Sequence, residues 1–313
     1  MKLSEILTPS FRSIGKMLGM VIEVFDGRLV IYKPMWSKAL SSESTFCRAM
    51  VVNGFLTQQQ MEHATRQYRL GATKTGRVIF WQINEHEEIY EGKVMSYLPD
   101  GHRDKRHNPT WVGHLLSVRH GWGRLSPRHC FFGLHLLCLT DLTEQGDDLC
   151  HTDPTDLTDT ESEAKAAKEP KAQKSVRSVR SVCDNKSVRS ACVKKSACNT
   201  RTICVVEAEK SAVILSEHFP QYLWLASGGL FEMQADKFRP LSGRRVILFP
   251  DTDVEGKAFK YWSDMAQLVM RQPFWEDSPP IYVSPILEQQ ATTEQKERKI
   301  DLVDFLFEGV GRS

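Results

Sequence analysis

The sequence has no C-x-x-C pair, no G-x-x-x-x-G-K-[ST] run and no apolar stretch long enough to cross a bilayer. Eight cysteines without a zinc-module or secreted-disulfide spacing, among them Cys183, Cys192, Cys198 and Cys204, are read as free thiols in a reducing setting. The missing glycine-rich run excludes a P-loop ATPase. The longest apolar run, "CFFGLHLLCL", contains His135 and falls short of the roughly 20 residues a spanning helix needs, so no membrane is expected. Residues 1–25 lack a continuous apolar core and a small-residue cleavage site, so no signal peptide is read there and a cytoplasmic location is expected. A net charge of one sign is also lacking: 41 Lys and Arg stand against 39 Asp and Glu, a balance of +2.

That balance hides a sharp local break. Residues 141–163 hold nine acids and no Lys or Arg, whereas residues 165–201 hold eleven Lys and Arg against two acids. Aromatics are absent from both blocks, and the second repeats "SVRSVRSV", "SVRSAC" and "KKSAC". Such a composition cannot bury enough apolar surface to fold, so 141–201 is expected to be a disordered linker with mutually attractive halves. Composition favours a solvated tether over a basic arm that touches nucleic acid.

On either side the chain has apolar patterning. Segment 1–42 is left unassigned, although "MVIEVFDGRLVIYKP" suits a hairpin around Asp26-Gly27. Residues 43–140 read as a mixed α+β lobe. A helix is expected near Ser44 to Val51, and a second starts at Thr57 with Gln60 completing a capping box. "GRVIFWQINEHEEIYEGKVMSYLPDGHR" then reads as an antiparallel hairpin. From 202 to 308 strands and helices alternate with short connections and the strands are continuous apolar runs. This is the α/β pattern of a parallel sheet flanked by helices. In the helix "EGKAFKYWSDMAQLVMR", Ala258, Tyr261, Trp262, Met265, Leu268 and Val269 are expected on the inner face.

Ligands of open α/β sheets bind beyond the carboxyl ends of the strands. Here "TICVVEA" runs into Glu207, "LWLAS" into Gly228-Gly229, and "RRVILFP" into Asp251 and Asp253. Gathered carboxylates raise each other's proton affinity unless a cation lies between them, and hard oxygen ligands suit Mg²⁺ or Mn²⁺. Asp253 also suits a helix cap, Glu207 an exposed strand exit and Lys210 a first-turn residue. A calcium loop starting at Asp251 fails because Trp262 occupies its twelfth position. A haloacid-dehalogenase-type phosphatase fits poorly, because Glu255 stands where it wants Thr or Val and little chain follows.

The order strand-Glu, Gly-Gly, strand-Asp-x-Asp resembles the Toprim domain of bacterial primases, topoisomerases and some nucleases. "VVEAEKSA" resembles its glutamate motif and "LFPDTDVEGKAF" its aspartate motif. "KIDLVDFL" resembles a third motif of primases, with Asp301 and Asp304 in the acidic positions. The likeness covers about 202–307, and 43–140 resembles the lobe that precedes the Toprim domain in primase-like proteins of mobile elements. It implies Glu207, Asp251 and Asp253 as catalytic and metal-binding groups, with Asp301 as a further ligand. Lys210, Gly228 and Gly229 are implied at phosphate, and Arg103, Lys105 and Arg106 as a grip on template or triphosphate. The implied partners are single-stranded DNA or a primer-template, nucleoside triphosphates, and a helicase or other replication protein. The implied activity is Mg²⁺-dependent nucleotidyl transfer. The alternatives are a Toprim-type nuclease and a non-catalytic nucleic-acid-binding accessory. Ala208 departs from the Gly of many primases, and no template-reading zinc ribbon is present.

Overall fold

The computed structural model describes residues 21–25, 28–32, 43–120, 128–137 and 201–308. The acidic and basic stretch at 141–200 lies outside the described residues.

Two sheets organise the chain. In the first, β1 (Val21–Phe25) and β2 (Arg28–Tyr32) pair antiparallel; the turn expected at Asp26-Gly27 lies outside the described residues. The expected central hairpin joins β4 (Val78–Ile83) to β5 (Ile89–Met95), in register from Val78↔Met95 to Ile83↔Ile89. Strand β2 adds to β5 through Ile31 and Ile89, so part of the unassigned N-terminal segment completes this sheet. The short β3 (Gly71–Ala72) pairs with β4, and β6 (Thr110–Trp111) with β5. Helices α1 (Thr45–Val52) and α2 (Gln58–Gln67) start where their caps dictate. Ser44 accepts the Cys47 N–H at 3.1 Å, and Thr57 and Gln60 form the reciprocal capping box. Helix α3 (Val112–His120) follows β6 directly.

The second sheet is parallel and four-stranded. Its strands are β7 (Ile203–Val206), β8 (Leu223–Ala226), β9 (Val246–Phe249) and β10 (Tyr282–Val283), in the order β10-β9-β7-β8. Helix α4 (Glu209–His218) connects β7 to β8, and α5 (Lys257–Met270) follows β9. The chain leaves β7 towards β8 on one side and returns to β9 on the other. The crevice between β7 and β9 is therefore the topological switch point, where open α/β sheets bind ligands. After β10 come α6 (Ile286–Gln290) and α7 (Thr293–Arg298), which the sequence pattern did not announce, and then the expected α8 (Leu302–Leu306). On α5 the buried set is Ala258, Trp262, Ala266 and Val269, with Leu268 46% exposed. Steps of four, four and three keep that set on one stripe, whereas Leu268 is rotated about 100° from Val269.

Residues 43–137 and 201–308 share one hydrophobic core. Phe132 exchanges two backbone hydrogen bonds with Ala226, at 2.9 and 3.1 Å, so "CFFGLHLL" lies along the edge of the second sheet. The Phe132 ring stacks on Tyr68 of the first half at 5.0 Å and meets Phe80 edge-on at 5.4 Å. The Tyr68 hydroxyl donates to the Trp224 carbonyl at 2.8 Å, which satisfies the polar end of a fully buried side chain. Truncating a buried aromatic such as Phe132 to alanine costs about 3–5 kcal/mol, so this seam is a main tie between the halves.

Candidate metal and phosphate site

Register brings the acids together. Val206 of β7 lies beside Phe249 of β9, so Glu207 and Asp251 leave adjacent central strands at the same end. Glu207, Asp251 and Asp253 line a cavity of about 450 Å³, with Leu230, Thr252, Val254, Lys296 and Lys299 among its other walls. Thr252 is pinned below them: its N–H donates to the Ile300 carbonyl at 3.1 Å and its hydroxyl to Glu288 at 2.9 Å.

The three acids differ electrostatically. Asp251 is raised well above the ordinary carboxyl range, first by desolvation, then by the charges of Glu207, Asp301 and Asp304. Glu207 is also raised by desolvation, against a hydrogen bond from the Leu230 N–H and the Lys93 charge, both of which favour its ionised form. Asp253 is the reverse. Desolvation acts on it, but it accepts N–H bonds from Glu255 at 2.9 Å, Lys257 at 3.2 Å and Ala258 at 2.9 Å, and these hold it below the ordinary range. The Lys257 and Ala258 N–H groups open α5, whose N-cap position is Gly256 with a left-handed φ of 64°. The remaining implied ligand, Asp301, also has a structural task. It accepts the Asp304 N–H at 2.8 Å to cap α8, and its other oxygen accepts the Ser211 hydroxyl.

A hard divalent cation fits what is left. Mg²⁺ is commonly held by one or two carboxylates, with water and phosphate completing its shell. Glu207 and Asp251 are such a pair, and burial is the first cause of the raised proton affinity of each, so the ionised pair would need a cation beside it. Among the described residues, no group of three His, Cys, Asp or Glu side chains is placed to hold a metal ion on its own.

The other sequence-derived positions are not among the residues that line the cavity. Lys210 donates to the Gly101 carbonyl at 3.4 Å and sits 5.1 Å over the Phe55 ring. Gly228 and Gly229 have φ of 91° and 152°, backbone that favours glycine, and their N–H groups bond to the Glu207 carbonyl and the Ser227 hydroxyl. Arg103, Lys105 and Arg106 are exposed on the first-half loop, and Arg106 is held by Asp104 at 2.9 Å.

Two features had escaped the sequence. Lys93 of β5 crosses to the second sheet and pairs with both oxygens of Glu209, at 3.0 and 3.1 Å, while donating to the Gly228 carbonyl at 2.6 Å. Both side chains are buried. The signal was Glu91 and Lys93 in an otherwise buried strand, since charges survive there only with partners. The second feature is Lys296 and Lys299 in the cavity wall. Lys299 is exposed, with a left-handed φ of 56° that bulky residues rarely adopt. They lie in the stretch where α6 and α7 were not anticipated.

A family model described as a domain of unknown function (DUF6371) matches residues 44–145 and 162–252. The match includes Glu207 and Asp251 and ends before Asp253. Neither the curated proteins nor the solved structures include a match to the chain. The matched segments span more than half of the 313 residues, and the chain belongs to the DUF6371 family.

Proposed function

We propose that the protein performs Mg²⁺-dependent nucleotidyl transfer on nucleic acid, as a primase-like protein with a Toprim-like catalytic sheet. The observation that carries this reading is the pairing of Glu207 with Asp251 at the switch point of the parallel sheet, over a cavity with lysines in its wall. Bound there, Mg²⁺ or Mn²⁺ would polarise a phosphoryl oxygen and lower the barrier to attack at phosphorus. Glu207 and Asp251 hold the cation in their ionised forms. Lys299 lines the same space and offsets phosphate charge, whereas Lys296 is held by Glu288, donating to its carbonyl at 2.7 Å. The Leu230 N–H orients Glu207, and Lys93 fixes the loop that carries it by holding the Gly228 carbonyl.

A specific observation supports a second reading, a nucleic-acid-binding accessory without catalysis. Asp253 spends its carboxylate on three backbone N–H groups, leaving two acids where a two-metal centre uses more. One assay separates the two. The protein is incubated with single-stranded DNA, labelled nucleoside triphosphates and Mg²⁺ or Mn²⁺, beside Asp251→Asn and Glu207→Gln. Labelled oligomers that vanish in both variants support transfer, and shortened DNA indicates hydrolysis by the same acids. DNA binding with neither product, unchanged in the variants, sinks both catalytic outcomes.

A further inference from the structure

Phe231 is a large aromatic that the fold leaves outside its core. It is 75% exposed, although Leu230 before it lines the acid cavity and Met233 after it is fully buried. Its ring is held: it meets Tyr261 at 5.5 Å between centroids and 74° between planes. Tyr261 lies one turn along α5 from Ala258, which also lines the cavity, and its hydroxyl donates to the Met233 carbonyl at 3.4 Å. A second apolar side chain at this rim, Val254, is 62% exposed between Asp253 and Glu255.

Isolated exposed apolar residues are ordinary on protein surfaces. Here Val254 lines a cavity with acids and lysines, and Phe231 directly follows Leu230, which lines it too. An apolar segment of a partner protein would want a continuous patch, whereas Asp253, Glu255 and Lys257 share this rim. Aromatic and ionic groups near one another match a nucleotide, whose base offers a flat π-face for stacking and whose phosphate is charged. We propose that Phe231, held by Tyr261 and accompanied by Val254, is a stacking platform for a nucleobase of the single strand whose phosphate occupies the cavity. The inference rests on the phosphodiester reading above and adds to it a subsite for the base.

Fluorescence anisotropy of the full chain in Mg²⁺ buffer tests it, with a fluorescein-labelled oligothymidylate and an abasic deoxyribose-phosphate chain of equal length. Base–aromatic stacking predicts that Phe231→Ala weakens oligothymidylate binding about tenfold and leaves the abasic chain unaffected. Phe231→Trp restores the affinity. The platform is overturned if Phe231→Ala weakens both chains alike or neither, or if Phe231→Trp binds as poorly as Phe231→Ala. If the unsubstituted protein binds neither chain, the phosphodiester reading falls with it. If binding depends on Asp251 and Phe231→Ala has no effect, the platform alone falls.

Discussion

Glu207 and Glu209 leave the same strand two residues apart and meet opposite fates. Glu209 is buried against Lys93, which reaches it from the other sheet with nitrogen–oxygen distances of 3.0 and 3.1 Å. Glu207 faces Asp251, another acid, and both are driven towards their protonated forms. A carboxylate whose counter-charge is supplied by the chain is architecture. Glu207 does feel the Lys93 charge, but burial outweighs it and the charges of Asp301 and Glu209 oppose it. The resemblance groups Glu207, Asp251, Asp253 and Asp301 as ligands and leaves Glu209 without a role; the partners of each acid divide them further.

The largest expected effect breaks the satisfied member. Lys93→Met leaves Glu209 buried without its cation and removes the donor to Gly228. Breaking a buried pair in this way costs about 3–5 kcal/mol, to be read from the urea midpoint. Adding Glu209→Gln to Lys93→Met should recover much of that loss. If the double variant is no more stable than Lys93→Met alone, the pair is not what holds this seam.

Much of this arrangement was legible in the sequence, and the unread part has a physical cause. Continuous apolar runs such as "ICVV" and "LWLA", buried at every position, disclosed a parallel sheet covered on both faces once their short length and alternation with helices were weighed. The caps at Ser44 and Thr57 were local chemistry, readable within four residues. Lys93 with Glu209 was not, because its partners are 116 positions apart and periodicity is silent on which strand meets which helix. Leu268 was misplaced for a smaller reason: a run of apolar residues at the end of α5 hid which neighbour lay on the stripe. The stretch carrying Lys296 and Lys299 is too polar to show a period, and its short helices rest on one capping box at Thr292 and on Asp301.

The unsatisfied pair should respond with the opposite sign. Asp251→Asn replaces a buried carboxyl that burial and the Glu207 charge drive towards protonation, so without metal the variant is expected to be the more stable of the two as pH rises. The pH dependence follows from linkage. Folded Asp251 and Glu207 bind protons more tightly than they do in the unfolded chain, so their contribution to stability falls as pH rises from the unfolded carboxyl range through the folded one. Mg²⁺ binds the ionised pair, so stabilisation by Mg²⁺ grows over the same interval. His135 has the other sign. Burial pushes it down to about 3, and stability is lost as pH falls below the unfolded histidine range near 6.5. The readout is therefore the difference between the original protein and Asp251→Asn in thermal melts from about pH 5 to pH 8, with and without Mg²⁺. Identical Mg²⁺ shifts in both proteins would remove the pair as a cation site.

Asp253 sharpens the comparison from the architectural side. Its bonds to the first two N–H groups of α5 act as a cap would, so Asp253→Ala should destabilise by about 1 kcal/mol and Asp253→Asn by less, since the Asn oxygen also accepts N–H bonds. Mg²⁺-dependent stabilisation should survive in Asp253→Asn and fail in Asp251→Asn. Equal loss in the two variants would return Asp253 to the ligand set.

The smallest effect extends the comparison to cations. Arg106 is held by Asp104 within its own loop, whereas Lys299 stands exposed in the cavity wall facing the acids. A lysine that meets a strand phosphate contributes about 0.7 to the slope of log affinity against log salt for single strands. Lys299→Asn keeps a residue that tolerates the left-handed turn and removes the charge, so the slope should fall by about that amount. Arg106→Ala should leave it unchanged, because Asp104 already occupies the guanidinium. The reverse outcome, a slope sensitive to Arg106 and indifferent to Lys299, would move the strand from the acid cavity to the first-half loop. It would also show that partnership inside the fold does not separate the ligand-facing groups from the structural ones here.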